Sequence, residues 1–376
     1  MSETRAHDTF DVAVVGAGII GASVAFDLAA RGIRTVVIEK ASRPGRESSA
    51  AAGGVLAPNA EAEPDTPLYG LKRASLDLFP DWISAIESES GVDSEFRRDG
   101  LIAIALDDEG ERDNERREAL VKRAGARVER LSGEALRRRE AAVAPEARSA
   151  LLFPEEARVD NARLSHAVAV AARRRGVEFR YGNPVTGLLR SGARVTGVAT
   201  PVGPVTAGVV VVAAGAWSAH LAGLPVAIPV KPARGQIVVL RAPSPPIGSV
   251  LSCGEIYAVP RNDGRVLVGA TVEDVGFDKS VTAGAMRWLL AGAARFLPSF
   301  DALPVETSWA GLRPEAADHL PLVGAVPGAP GLVLATGHFR AGIVLAPLTA
   351  RAVAACVAGE RLPASLACCD PARFAT

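Results

Sequence analysis

Short β-branched apolar runs alternate along this chain with longer stretches whose apolar positions recur every three or four residues. "FDVAVV", residues 10–15, has the unbroken apolar character of a strand buried on both faces. From Ile19 to Arg31 small and apolar residues predict a helix, which Gly32 ends. "RTVVIEK" then predicts a second buried strand. The alternation returns further on. "RLSHAVAVAARRRG" has an amphipathic helical rhythm and closes on Arg173, Arg174 and Arg175, cations that suit a helix C-terminus. "VEFRYGNPVTGLL" and "ARVTGVATPVGPVTAGVVVVAAG" predict strands joined by turns, and the run Val209 to Val212 ends in "AAGAWS". Residues 109–140 are heavily charged with mixed signs, which predicts a solvated helical face on an inserted subdomain. Near the end, Gly337 to Gly342 read as a loop and Ile343 to Val357 as a helix with small side chains.

The turn between the first strand and the first helix has its own chemistry. "GAGIIG" places Gly16, Gly18 and Gly21 in the GxGxxG spacing, and Ile19 and Ile20 open the helix. Gly16 permits the tight turn, Gly18 lets backbone approach a pyrophosphate, and Gly21 lets helix pack on strand. Unpaired N–H groups at the helix start then bind phosphates. Glu39 ends the second strand, followed by Lys40, and suits the hydroxyls of an adenosine ribose. An acidic residue there disfavours a 2′-phosphate, which leaves NAD or FAD. "GRESSAAAGGVLAP", residues 45–58, has little bulk for a core, and could either lie along an extended cofactor or form a plain surface loop. "AAGAWS" offers another close backbone approach, at the kind of strand end where open α/β sheets hold ligands.

Composition narrows the classes. The 376 residues are 48% hydrophobic, enough for two domains or one large composite one. Lys plus Arg and Asp plus Glu each number 42, so no basic surplus points to nucleic acid. Cys253, Cys356, Cys368 and Cys369 show no metal-ligand spacing, and their use suits a reducing cytoplasm. The start lacks the features of a signal peptide, and the longest apolar stretch falls short of the ~18 residues of a membrane span. The expectation is an enzyme of the cytoplasm acting on a small molecule, with neither nucleic acid nor membrane as partner.

One cation stands out. In "WAGLRPEAADHLPLVG", residues 309–324, Arg313 sits between Leu312 and Pro314 in a segment otherwise fit for burial. A guanidinium keeps its charge, so burial without an anion is costly. Glu315, Asp318 or an anionic ligand could each supply the partner.

At this point the chain resembles the flavin-dependent amine oxidases of the D-amino acid oxidase superfamily, and within it the glycine oxidases of thiamine biosynthesis. The segments "VVGAGIIGASVAFDLAARG", "SSAAAGG", "NPVTGL", "VVVAAGAWS", "IYAVPRNDGRVLVGAT", "SWAGLRP", "LPLVG" and "GHFRAGIVLAP" fall in the family's order over nearly the whole chain. The resemblance implies an α/β fold with noncovalent FAD in a Rossmann-type domain, interleaved with a substrate domain built on an antiparallel sheet. Residues 1–80, 150–218 and 306–376 would form the first, and 81–149 and 219–305 the second. It implies that Ser48, Ser49, Ala51, Ala52, Gly53 and Gly54 lie along the cofactor, with Ala214, Gly215 and Trp217. Val185 would meet the adenine, and His338, Arg340, Ala341, Gly342 and Ile343 the flavin, where a helix N-terminus would favour negative charge. Arg313 would bind the substrate carboxylate, Tyr257 help hold it, and Arg340 stand beside flavin and substrate. Bland readings stay open for three side chains: strand packing for Tyr257, a salt bridge for Arg340, and a backbone-bonded loop histidine for His338. Gly54 and Val272 stand where some relatives have methionine, so the pocket's volume can differ. The implied reaction is oxidation of glycine, sarcosine or small D-amino acids to the oxo acid, ammonia and hydrogen peroxide by a homotetramer. A quinone-linked D-amino acid dehydrogenase and a non-catalytic flavin-binding protein are the alternatives.

Overall fold

Thr9–Val15 lies inside the first of two eight-stranded sheets. The computed structural model describes residues 9–61 and 66–374, so the first eight residues, which the leader reading includes, lie outside them. Thr9–Val15 pairs in parallel with Val205–Val212 on one side and Thr35–Ile38 on the other. Glu178–Arg180 and Leu332–Thr336 extend the sheet in parallel, and Leu322–Ala325 closes that edge antiparallel. Its central strands are buried on both faces, as their continuous apolar runs require. The helix Ile19–Ala30 covers one face together with Asn161–Arg174 and Ala346–Val357. Gly21 makes the close approach possible, since a Cβ there would collide with the carbonyl of Gly16.

The second sheet runs in the order Val305–Ala316, Val230–Arg241, Arg265–Gly269, Ile256–Pro260, Val250–Cys253, Leu101–Ala105, Ser149–Phe153 and Glu129–Ser132. It is antiparallel except where Val250–Cys253 meets Leu101–Ala105. Two strands cross the division expected from sequence. Ser149–Phe153 and Val305–Ala316 pair into this sheet, although residues 150–153 and 306–316 were assigned to the flavin domain. The register explains this for the longer strand: it pairs with Val230–Arg241 from Ala316 to Val305, far more hydrogen bonding than any edge in the first sheet offers.

Three further elements differ from the sequence pattern. The charged stretch 109–140 is two helices, Asp108–Arg123 and Gly133–Arg139, separated by the strand Glu129–Ser132. Gly125, at φ +69°, breaks the first of them. The small-residue run after the second strand contains a one-turn helix, Ser48–Ala51, rather than loop alone. The last helix begins at Ala346, not Ile343; Phe339–Ala341 is a short 3₁₀ turn instead. Pro347 sits in the first turn, where its missing N–H costs nothing.

The long helix Pro67–Ser90 is anchored by Phe79, fully buried, which meets Trp82 edge to face at a centroid distance of 5.3 Å and stacks on Phe96 at 6.0 Å. Phe79→Ala should cost about 3–5 kcal/mol, the usual range for deleting a buried ring. Chemical denaturation checks this; a midpoint equal to wild type would show that the ring contributes no core packing.

Candidate active site

A cavity of about 1210 Å³ opens where the C-terminal ends of the first sheet meet the face of the second. That exceeds the ~300–1,000 Å³ of ordinary small-ligand pockets, as a cofactor with a substrate beside it requires. Along its length lie Val15, Ile38 and Ala213 at strand ends, and Gly18, Ile19 and Ile20 at a helix start. Gly16 holds φ +102°, and a Cβ on it would lie 2.6 Å from the Ala213 carbonyl oxygen. The turn therefore has bare backbone against the cavity, as a bound pyrophosphate demands.

The other dinucleotide residues converge there. Glu39, 8% exposed, accepts from the backbone N–H groups of Ala17 and Ala41 at 2.7 and 2.8 Å while lining the cavity. Ser49 Oγ accepts from Ile19 N at 2.9 Å, capping the first helix from a distant segment. Ser48 donates to the carbonyl of Leu312. Lys40 Nζ stands 3.1 Å from the centre of the Trp217 ring and 3.2 Å from Glu47. Ala51, Ala52, Gly53, Gly54, Val185, Ala214 and Gly215 also line the wall, as do His338, Ala341, Gly342 and Ile343. Of the residues expected along the cofactor, Gly21 alone does not; it packs helix to strand instead. Among the described residues, no cluster of His, Cys, Asp or Glu could hold a metal ion.

At the other end of the cavity stand Tyr257, Arg313 and Arg340. Tyr257 projects from Ile256–Pro260 between two glycines. A Cβ on Gly53 would lie 2.7 Å from its hydroxyl, and one on Gly269 would lie 2.6 Å away. Burial raises the phenol's pKa, so it stays protonated and can donate. Arg313 projects from Val305–Ala316 across Gly235, where a Cβ would lie 2.5 Å from its Cζ. Its Nη1 donates to the Thr271 carbonyl at 2.9 Å and, more weakly, to the Arg234 carbonyl at 3.4 Å. No carboxylate pairs with it among the described residues. Glu315 lies beside Lys231, and Asp318 beside Arg373 at 2.7 Å, so neither plays the part left open for it. Burial lowers the Arg313 pKa, the cost expected of an uncompensated cation.

The seat of Arg313 is itself built. Arg234, 4% exposed, donates to Glu273 at 2.6 Å and to Asp278 at 2.7 Å. Glu273 Oε1 also accepts from Gln236 Nε2 at 2.7 Å and Thr271 Oγ1 at 2.5 Å. Burial would raise the Glu273 pKa, but these donors outweigh it and hold the group ionised. The network fixes the two carbonyls that aim Arg313. Sequence reading missed Gly235, Gly269, Thr271 and Glu273. A glycine beside a β-branched apolar run, as in "ARGQIVV", was the available sign of a close approach.

Arg340 pairs with Glu61 at 2.8 Å, and Glu61 with Lys72 at 3.1 Å. His338 is 3% exposed, and burial pushes its pKa down to about 3. Its Nε2 meets Thr349 Oγ1 at 3.0 Å, a side-chain partner rather than the expected backbone one.

Residues 11–356 match the family described as FAD dependent oxidoreductase, abbreviated DAO. The chain belongs to this family. The hydrogen cyanide synthase subunit HcnC of Pseudomonas aeruginosa is 33% identical to it, covering 97% of this chain and 96% of that protein. The bifunctional protein ThiO/ThiG of Nostoc sp. is 35% identical over 92% of this chain, which spans 52% of that longer protein. A crystal structure of glycine oxidase from Geobacillus kaustophilus superposes with a TM-score of 0.92 at 32% identity, covering 98% of this chain and 99% of that one. The flavoprotein's cofactor is thus FAD, and the residues on the page fit it: a bare glycine turn for the pyrophosphate and a carboxylate for the ribose.

Gly235→Ala tests the seat. It should retain bound FAD yet weaken binding of a simple carboxylate such as acetate by roughly tenfold or more, since small displacements of a charged clamp cost ~1–3 kcal/mol. Titration by flavin absorbance measures this. Wild-type affinity in that variant would show that the guanidinium's position is immaterial.

Proposed function

We propose that this flavoprotein uses oxygen to oxidise glycine and small D-amino acids to the oxo acid, ammonia and hydrogen peroxide, and sarcosine to the oxo acid, methylamine and hydrogen peroxide. The carrying observation is Arg313: a buried guanidinium in the cavity wall, held by two carbonyls and without an acidic partner. A substrate carboxylate supplies the missing charge, and the planar fork can take both of its oxygens. Tyr257, protonated and fixed between Gly53 and Gly269, donates a further hydrogen bond to the same carboxylate. Two such donors orient the α-carbon relative to the cofactor, and alignment of this kind is worth up to ~7–11 kcal/mol of a barrier. Bound FAD supplies a two-electron acceptor for the hydrogen leaving that carbon. The substrate enters with its amine as the free base, because the site offers no ready proton acceptor. His338, depressed to about 3, stays neutral at working pH and bonds to Thr349. Glu61 is engaged by two cations.

The same reading makes the protein a cytoplasmic homotetramer that feeds the thiamine thiazole pathway; the likeness to ThiO/ThiG supports the pathway. No helix among the described residues is long and apolar enough to cross a membrane. Likeness to HcnC, a subunit of a hydrogen cyanide synthase, favours one second reading, in which the chain works as a subunit of a cyanide-forming enzyme.

Arg313→Leu should keep bound FAD and its visible spectrum while kcat/KM for glycine falls roughly a hundred- to a thousandfold, since losing one partner of a buried charged pair costs ~2–5 kcal/mol. Oxygen uptake and peroxide release are the measurements. Unchanged kinetics would overturn the assignment of Arg313. Release of hydrogen cyanide from glycine would favour the second reading.

A further inference from the structure

The cavity contains another guanidinium that lacks an acidic partner. Arg117 projects from the helix Asp108–Arg123 into the same wall, among Leu101, Leu120, Ala57 and Tyr69. Among the described residues it makes no hydrogen bond and no ion pair. The carboxylates around it are committed elsewhere. Asp113, one turn back, lies 3.6 Å from Arg116. Glu118 pairs with Lys122 and Arg130. Glu61, near enough to act on Arg117, is shared between Lys72 and Arg340. Burial lowers the Arg117 pKa despite the opposing pull of Asp113, so its charge is held in a partly desolvated place.

Like Arg313, Arg117 is thus a cation of the cavity wall without an anion of its own. We propose that Arg117 receives a second acidic group, so that the cavity takes small amino diacids as well as glycine. Arg313 holds one carboxylate, and the other extends past Glu61 along the apolar wall to Arg117. This rests on the assignment of Arg313 made above, and the test separates the two.

The holoenzyme is titrated by flavin absorbance with unbranched dicarboxylates of rising length, malonate through adipate. Each is compared with the monocarboxylate of equal chain length. One diacid should bind at least tenfold more tightly than its monoacid, and its length reports the distance between the two cations. Arg117→Ala should abolish that preference and Arg117→Lys should restore part of it. With iminodiacetate and D-aspartate as substrates, the ratio of kcat/KM for diacid to that for glycine should fall at least tenfold in Arg117→Ala. Should that variant not fold, Arg117→Gln replaces it, and retention of the flavin spectrum certifies either protein. Equal binding of monoacids and diacids at every length, or a preference that survives Arg117→Ala, overturns the proposal while leaving Arg313 in place. Failure of monocarboxylates to bind at all overturns both.

Discussion

The uncompensated charge of Arg313 organises its end of the cavity. Burying a guanidinium away from acids is unfavourable, and the structure meets that cost with backbone carbonyls that cannot neutralise it. Thr271 and Arg234 offer oxygen lone pairs, which orient Arg313 and leave its charge intact. The surrounding acids are placed so as not to intervene. Glu273 is tied to Arg234, Gln236 and Thr271, and Glu315 and Asp318 face other cations. An anion that enters the cavity finds a donor already aimed and already paid for in desolvation.

Apart from Arg117, the other ionisable groups at this end of the cavity largely offset one another. Arg340 and Lys72 share Glu61, so two cations and one carboxylate leave a single excess charge there. His338 is neutral, and Tyr257 is a protonated phenol. A wall of this kind binds acids and stabilises negative charge developing in the cavity, but it offers no strong base. That is the electrostatic profile of an enzyme whose cofactor performs the redox step while the protein positions the substrate.

Much of this was legible in the sequence because local chemistry dictated it. The glycines of "GAGIIG" and the β-branched runs around them constrain backbone directly, and both appear where their pattern placed them. Arg313 was legible as an anomaly, a permanent charge in an apolar segment. What could not be read depends on contacts between distant segments. Nothing near Gly235 in the chain shows that it makes room for a side chain 78 positions later, since 313 − 235 = 78. The same holds for Glu61, whose partner Arg340 lies 279 positions further along the chain. Strand Val305–Ala316 lies across the expected division of the chain for a similar reason: its neighbours along the chain belong to one sheet and its hydrogen bonds to the other.

That strand also ties the dinucleotide end of the cavity to Arg313. Arg313 pairs in register with Ala233, and Gly311 with Gly235, so Arg313 lies diagonally across from the glycine its guanidinium covers. On the same strand, Gly311 faces Ala51, where a Cβ would lie 2.5 Å from the alanine's own. Trp309 Nε1 donates to the Ala51 carbonyl at 3.0 Å, and Ser48 donates to the carbonyl of Leu312. The short helix Ser48–Ala51, which lines the dinucleotide end, is thereby bonded to the strand carrying Arg313. A slip of one residue in this strand would turn Arg313 to the opposite face and break all three contacts together. Two sites assembled from separate sheets thus share one mechanical reference, and the precision of the clamp derives from strand register rather than from the side chain alone.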